Sequence, residues 1–354
     1  MRWSGVVASA VLLMSPVALA QTPAAQRVEV VEALAAALER DYVYPETGAA
    51  YASALRAKAA GGAYAAGDDL AFAEQVRGDL YAVKEDRHLQ LMSPIPAPGG
   101  NGPRMVQGPG TDGPKAVEAT RRLTPDIAYI RFRMFPGDAQ SAADIDRFVA
   151  ANAGVKTLII DARGHRGGSP ADIDLLFADL FSKQTDLVQM EVRKAVADEN
   201  AWMAEEGPTF RVVPSAPDML VRQHMAVPSA NPRLEDTKLY VLQSAVSGSA
   251  AEHLLLAVKL SRRGTLVGET SAGANHFGYG LGLPAGFSTF IPVGRTFDPA
   301  TGLDWEGTGV APDIKAASVD ALVAALQDAG LGADEAAALN ATLSYIPPKP
   351  RPRP

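Results

Sequence analysis

The residues best suited to do chemistry surround Ser249. In LYVLQSAVSGSAAEH an apolar, β-rich run leads into a turn of small residues and then directly into a helical pattern. A strand–turn–helix unit presents a hydroxyl at the carboxyl edge of a sheet, where the N–H groups and dipole of the helix start can stabilise an oxyanion. The sequence therefore predicts Ser249 as a nucleophile. The alternative is a helix N-cap at Ser247 or Ser249, with Glu252 completing a capping box.

A glycine-rich loop is the second feature. In TLIIDARGHRGGSP a predicted strand is followed by Gly167 and Gly168 and then by a helix. Glycine can adopt backbone angles that turn an N–H toward a site at the strand end, so we interpret the loop as an oxyanion donor or, alternatively, as a tight strand-to-helix turn. It lacks the lysine of a phosphate-binding loop and the spacing of a dinucleotide fingerprint, which disfavours phosphate binding.

A serine hydroxyl needs a general base within hydrogen-bond reach. Histidines are the candidates, and the sequence has His88, His165, His224, His253 and His276. His253 follows Ser249 by one helical turn and is expected to pack or face solvent. His165 lies in the glycine loop and could line the cleft, and His224 is expected at the surface.

Composition excludes several classes of function. The net charge of −7 argues against nucleic acid or an anionic membrane as the main partner. The absence of cysteine excludes thiol catalysis, disulfides and thiolate metal sites. No HEXXH motif or other carboxylate–histidine pattern has metal-ligand spacing, so we expect no metal and no cofactor.

The first 20 residues have the pattern of a secretory leader. Arg2 supplies the positive start, Val6–Met14 form an apolar stretch too short for a membrane span, and a small-residue cleavage site ends at Ala20. We therefore expect cleavage after Ala20 and a periplasmic or secreted protein that begins at Gln21.

The remaining chain divides into segments with different residue patterns. Amphipathic helical patterns predict a helical domain over 21–93, and a Pro- and Gly-rich linker follows over 94–115. Strands alternating with helices predict an α/β core with a largely parallel sheet over 116–330, and 331–354 form an extension with a Pro-rich tail. The predicted strands are 127–132, 157–161, 239–243 and 265–267, and the predicted core helices are 171–182, 250–260 and 319–329.

Four motifs in order carry a family resemblance. LIIDARGHRGGS, SGSAAE, VGETSAGA and WEGTGVAPDI resemble the C-terminal processing (tail-specific) proteases, most closely the branch with the tricorn core and the interphotoreceptor retinoid-binding protein repeats. ERDYVYPE and KEDRHLQL resemble that branch's helical domain, so the likeness covers roughly residues 28–325. It implies a ClpP/crotonase-like fold and a serine hydrolase without cofactor.

The resemblance also implies roles for the motif residues. Ser249 matches the nucleophile, and Ala250 supplies one oxyanion N–H. Either Gly167 or Gly168 supplies the other.

The general base differs from that of the lysine-dependent members of the family. Lysine-dependent members carry a lysine where this chain has Ala274, which rules out a Ser–Lys dyad at this position. The resemblance implies His88 as the base, and His276, just beyond Ala274, is the competitor. Glu306 matches a glutamate that supports the histidine, although it could simply be a turn residue. Asp86 could also contact His88, but residues two apart on a helix point apart.

Together these features predict an exported serine endopeptidase that cleaves peptides or unfolded proteins through an acyl-enzyme. The span Met92–Lys115 is too short for a tethered binding domain. A non-proteolytic protein that binds an apolar ligand or peptide, and an esterase, are the alternatives on the same scaffold. The sequence does not indicate an oligomeric state.

Overall fold

The computed structural model describes residues 22–94 and 115–347. The predicted leader, nearly all of the predicted linker and the Pro-rich tail lie outside the described residues. The helices are α1 (Ala24–Asp41), α2 (Pro45–Ala60), α3 (Asp69–Val83), α4 (Ala139–Ala151), α5 (Ala171–Leu180), α6 (Lys194–Glu199), α7 (Ala250–Leu260), α8 (Ala321–Asp328) and α9 (Ala333–Ala341). The strands are β1 (Leu91–Met92), β2 (Val117–Thr124), β3 (Ile127–Phe132), β4 (Thr157–Asp161), β5 (Thr185–Arg193), β6 (Phe210–Val213), β7 (Met219–Ala226), β8 (Lys238–Gln243), β9 (Gly264–Gly268), β10 (Phe277–Gly282), β11 (Ser288–Phe297) and β12 (Ile314–Lys315). Within these two ranges, no helix combines the length and apolarity that crossing a membrane requires.

Helices α1 to α3 form the N-terminal helical region that the sequence predicts. Helix α2 begins with Pro45, whose fixed φ suits a first helical position. Helix α3 is capped by Asp68, which accepts a hydrogen bond of 2.8 Å from the Ala71 N–H. The apolar faces of the three helices share one hydrophobic core with strands β5 and β11. The helical region is therefore packed onto a sheet, which places the chain that follows α3 beside the core.

A mainly parallel sheet forms the centre of the molecule. Its strand order is β12-β9-β8-β4-β3-β2, and only the edge strand β2 runs antiparallel to its neighbour. Strands β3, β4 and β8 are almost continuously buried, as expected for parallel strands covered on both faces. Helices α4, α5 and α7 cover one face and α8 and α9 the other. The predicted α/β core with a largely parallel sheet is confirmed.

A second, antiparallel sheet was not predicted. Its order is β1-β11-β5-β7-β6, with β10 also paired to β11. Strand β7 is buried over most of its length, and His224 within it is fully buried. The prediction that His224 lies at the surface is therefore wrong, because its strand lies between two others and its ring is covered on the inner face.

Candidate active site

Ser249 lies where β8 turns into α7, with an unusual backbone. Its φ of 58° and ψ of −123° are not the extended angles of an ordinary N-cap. Such strained angles cost about 1–3 kcal/mol and persist only where the surroundings determine them. The Ser249 N–H donates to the Ala274 carbonyl at 3.0 Å and to Glu252 Oε2 at 3.1 Å. The predicted contact with Glu252 is present, but the Ser249 backbone is that of a sharp elbow.

Glu252 anchors this elbow to the chain after β9. Its buried carboxylate accepts hydrogen bonds from Ser271 Oγ at 2.5 Å, the Gly273 N–H at 2.7 Å and the Ala274 N–H at 2.8 Å. Burial raises the pKa of Glu252, and these hydrogen bonds act in the opposite direction. Glu252 is therefore a positioning residue that joins the helix start to segment 271–274.

Ser247, the other serine considered as a cap, has a structural role. Its buried hydroxyl donates to the Ala162 carbonyl at 2.7 Å and accepts from the Ser244 N–H at 2.9 Å. Both functions of the hydroxyl are used to join the ends of β4 and β8, which leaves Ser249 as the serine at the cleft.

Gly167 touches the nucleophile candidate. A Cβ at this position would lie 2.6 Å from Ser249 Cβ and 3.0 Å from Ser249 Oγ, and the φ of 110° already favours glycine. The Gly167 N–H donates to His165 Nδ1 at 3.0 Å. His165 is fully buried, and this burial lowers its pKa to about 3, so the ring is neutral. His165 therefore holds the glycine loop from its buried side and does not line the cleft.

Gly168 presents a different backbone group. Its φ is 134°, and a Cβ there would lie 1.9 Å from the Phe135 carbonyl oxygen. Among the described residues, the N–H groups of Gly168 and Ala250 have no hydrogen-bond partner. Of the two glycines that the sequence left open, Gly167 has its N–H engaged and Gly168 has its N–H available.

A buried cluster of acids and histidines lies where α3, β10 and the loop after β11 meet. Asp86 Oδ2 lies 2.6 Å from His276 Nδ1 and accepts from the Tyr42 hydroxyl at 2.9 Å. Asp86 Oδ1 accepts from the His88 N–H at 2.9 Å. Helix α3 ends at Val83, so Asp86 and His88 are not on a helix. The argument that a helix would turn these two side chains apart is therefore wrong.

Glu306 completes this cluster. Oε2 accepts from the Asn275 N–H at 2.7 Å and the His276 N–H at 3.2 Å, and Oε1 accepts from the Arg87 N–H at 3.3 Å. Its carboxylate also lies 3.8 Å from His276 Nδ1. Glu306 is therefore not simply a turn residue, because these contacts join the segment after α3 to the segment before β10.

His88 and His276 occupy different environments in the same cleft. The His88 ring is half-buried, packs at 5.4 Å from the Phe290 ring, and has a nitrogen within 4.8 Å of carboxylate oxygens of both Asp86 and Glu306. The His276 ring is 1% exposed, and its Nε2 has no hydrogen-bond partner among the described residues. Each carboxylate oxygen of Asp86 and Glu306 accepts a hydrogen bond from the protein.

The protonation of the cluster follows from burial and proximity. Burial raises the pKa of Glu306 to about 7, and the charge of Asp86 adds to this effect. For His276, burial acts to lower the pKa, but the hydrogen bond and charge of Asp86 outweigh it and the pKa is raised. For Asp86, burial is opposed by His276 and His88, and the pKa is lowered. Asp86 and His276 therefore form a buried ion pair beside a carboxyl group that titrates near neutrality.

Two cavities meet at Ser249. A cleft of about 2010 Å³ is lined by Ser249, His88 and His276 and by residues of the antiparallel sheet, among them Met190 and Phe290. A second cavity of about 60 Å³ is lined by Ser249, Gly168 and Ala250. The hydroxyl, the available N–H groups and two histidines thus border one continuous site.

Comparisons with known proteins identify the family and the fold. The model of peptidase family S41 matches residues 126–316. The fold is similar to that of the photosystem II D1 C-terminal processing protease, with a TM-score of 0.50 and 15% identity over 82% of this chain and 93% of that one. A peptidase-like protein from Parabacteroides merdae gives a TM-score of 0.59 and 16% identity over 88% and 98% of the two chains. The tricorn protease gives 0.53 and 11% over 90% of this chain but only 36% of the other.

Proposed function

Because the chain belongs to peptidase family S41, we propose that it is a serine endopeptidase whose nucleophile is Ser249 and whose general base is His88. Glu306 supports the charged form of the base. The observation that carries the proposal is the strained elbow at Ser249, in a cleft that His88 also lines. Strain of this kind is concentrated at functional sites.

The proposed reaction is acyl transfer to the serine. Ser249 Oγ attacks the substrate carbonyl carbon as His88 takes the hydroxyl proton. The oxyanion accepts hydrogen bonds from the N–H groups of Gly168 and Ala250, which have no partner among the described residues. His88 then returns the proton to the leaving amine, and water hydrolyses the acyl-enzyme by the same route.

His88 fits the role of base better than His276. The His276 residue is only 1% exposed, and its ring is enclosed beside Tyr42 and Tyr44 at centroid distances of 6.1 and 5.7 Å. A base that must reach both the nucleophile and the leaving amine needs access to the cleft, which the half-buried His88 has. We assign to His276 a supporting role, in which it keeps Asp86 ionised next to the base.

The size of the cleft favours a polypeptide substrate. Sites for small molecules usually occupy about 300–1,000 Å³, and the cleft of about 2010 Å³ is larger. An extended segment of a peptide or unfolded protein fits this volume better than a compact ligand. The proposal includes export through the leader at residues 1–20, and sequencing of the N-terminus of the protein recovered from cells tests whether the chain begins at Gln21.

Cleavage of an unfolded protein tests the activity. Fluorescein-labelled casein is incubated with the wild type and with Ser249→Ala, and the release of labelled peptides is measured. We expect release by the wild type only, with both proteins showing the same circular dichroism spectrum. Equal release by both proteins would refute Ser249 as the nucleophile. Binding of casein by the wild type without release would favour a non-proteolytic binding protein.

A further inference from the structure

The 60 Å³ cavity is placed to receive a substrate side chain. Ser249 and the two residues proposed to bind the oxyanion, Gly168 and Ala250, line its mouth. When Ser249 attacks a substrate residue whose carbonyl oxygen is bound by Gly168 and Ala250, the side chain of that residue is attached to the Cα next to the attacked carbonyl carbon. That side chain must therefore lie in or next to this cavity.

Two residues that line this cavity carry a buried N–H donor without a partner. Asn275 Nδ2 and Trp305 Nε1 make no hydrogen bond with the described residues, although each residue is only 4% exposed. The orientation of the Asn275 amide is set, because its Oδ1 accepts from the Thr296 N–H at 3.2 Å. Buried donors are rarely left unpaired in native proteins. These two therefore indicate a ligand group that accepts hydrogen bonds.

A chain of hydrogen-bonded side chains, which begins at the partly exposed Asp174 and is buried from His224 onward, leads to the same cavity. Asp174 Oδ1 lies 2.7 Å from His224 Nε2, and His224 Nδ1 lies 2.8 Å from His253 Nε2. His253 Nδ1 lies 3.4 Å from Thr296 Oγ1. Burial holds the pKa of His253 well below its usual value, so its ring is neutral.

The direction of the hydrogen bonds along this chain follows from its acid end. A carboxylate only accepts, so a neutral His224 donates from Nε2 to Asp174 and accepts at Nδ1. His253 then donates from Nε2 and accepts at Nδ1 from the Thr296 hydroxyl. Because the hydrogen of the Thr296 hydroxyl is donated to His253, Oγ1 keeps its lone pairs available to the cavity that Thr296 lines.

We propose that this cavity binds the side chain of the substrate residue on the acyl side of the cleaved bond, and that it selects threonine or serine. The substrate hydroxyl oxygen accepts from Asn275 Nδ2 or Trp305 Nε1, and its hydrogen is donated to Thr296 Oγ1. The cavity, at about 60 Å³, is far smaller than the adjoining cleft of about 2010 Å³, so a short side chain fits it better than a large aliphatic or aromatic one. The proposal rests on the proposed function of Ser249.

Peptidyl diphenyl phosphonates test the selectivity without knowledge of the natural substrate. Three probes differ only in the side chain next to phosphorus, which is that of threonine, valine or phenylalanine. Ser249 Oγ displaces phenoxide, which leaves as phenol, and the second-order rate constant is measured from the loss of reaction with a generic fluorophosphonate. Threonine and valine have nearly the same shape, so their ratio isolates the hydroxyl. We expect threonine to react at least about fivefold faster than valine, and phenylalanine about tenfold slower than valine.

Two variants locate the origin of the selectivity. Trp305→Phe removes one donor and Thr296→Val removes the acceptor, and each is expected to move the threonine-to-valine ratio toward one. Thr289→Val is the matched control, because Thr289 is a buried threonine of the same strand that lines neither cavity, with its hydroxyl bonded to the Gln90 carbonyl at 3.0 Å. It should leave the ratio unchanged. Circular dichroism checks that each variant is folded.

The outcomes separate this inference from the proposed function. A wild type that reacts with threonine and valine probes at equal rates overturns the inference alone, as does a ratio unchanged in both pocket variants. A wild type that reacts with none of the probes and not with the fluorophosphonate overturns the proposed function, and the inference with it.

Discussion

Replacement of Gly167 by alanine would place a methyl group against the proposed nucleophile. The new Cβ would lie 2.6 Å from Ser249 Cβ and 3.0 Å from Ser249 Oγ, and the residue would keep a φ of 110° that alanine rarely adopts. The elbow cannot rotate freely to make room, because Ser249 N–H is bonded to both Ala274 and Glu252. The substitution therefore acts on the position of the hydroxyl.

The expected magnitude follows from these distances. Carbon atoms in contact lie about 3.5–4.0 Å apart, so relief of the 2.6 Å contact requires a shift of about 1 Å. A misplacement of that size costs roughly 100-fold in rate. Overpacking costs about 1–3 kcal/mol and the unfavourable φ about 1–2 kcal/mol. We therefore expect about 2–5 kcal/mol of lost stability together with the loss of reactivity.

The assay compares Gly167→Ala with Gly164→Ala. Gly164 lies in the same loop, but a Cβ there meets nothing within 4 Å. The rate constant for fluorophosphonate labelling and the free energy of unfolding in urea are measured for both variants and for the wild type. Gly164→Ala should react like the wild type. If folded Gly167→Ala also reacted at the wild-type rate, the close approach of the loop to Ser249 would have no role in the reaction.

Three further predictions concern strain, pH and capping. Ser249→Gly should be about 1–2 kcal/mol more stable to urea than Ser249→Ala, although both are inactive, because glycine tolerates the φ of 58°; equal stabilities would mean that the elbow is not strained. The contribution of Glu306 and His276 to the free energy of unfolding should fall from pH 5 to pH 8, because the Glu306 pKa is raised from 4.5 to about 7 and the His276 pKa is raised above 6.5. Native Glu306 holds its proton over a range where the unfolded chain has lost it, which costs up to about 3 kcal/mol as pH rises through that range, and the stabilisation from charged His276 is lost above 6.5. Buried His165 and His253, whose pKa values are lowered, act in the opposite direction below pH 6.5 in the wild type and in Glu306→Gln alike, so the test is the difference in free energy of unfolding between these two proteins in urea titrations; a difference that does not change with pH would contradict the assignment. Asp138→Ala should lower the stability by about 1 kcal/mol in the same titrations, since Asp138 caps α4 by accepting from the Ser141 N–H at 2.7 Å; an unchanged midpoint would contradict that role.

The parallel sheet could be predicted because its signal is local. Strands β3, β4 and β8 are short apolar runs, and the structure has them within one residue of the predicted bounds. The antiparallel sheet lacks such a signal. Strand β5 alternates between buried and partly exposed positions, and its partners β7 and β11 lie far along the chain. Non-local pairing of half-buried strands cannot be read from the composition of each strand.

The site residues also divide into those that local sequence predicts and those that depend on the tertiary structure. Ser249 was predicted from the strand–turn–helix pattern, and the separate roles of Gly167 and Gly168 needed the hydrogen-bond partners of each N–H. The importance of Asp86 was missed because it depends on α3 ending at Val83, before the acid. His224 was misplaced for a related reason, since its burial depends on which strands flank β7.

The central claim is that Ser249 is activated by His88. Its most direct test is a fluorophosphonate reaction of the wild type, His88→Ala and His276→Ala, with the site of the adduct mapped by mass spectrometry of peptides. We predict that the adduct lies on Ser249, that labelling of folded His88→Ala is lost, and that His276→Ala keeps a measurable fraction of the wild-type rate. An adduct on another residue, or full labelling of His88→Ala with none of His276→Ala, would contradict the account.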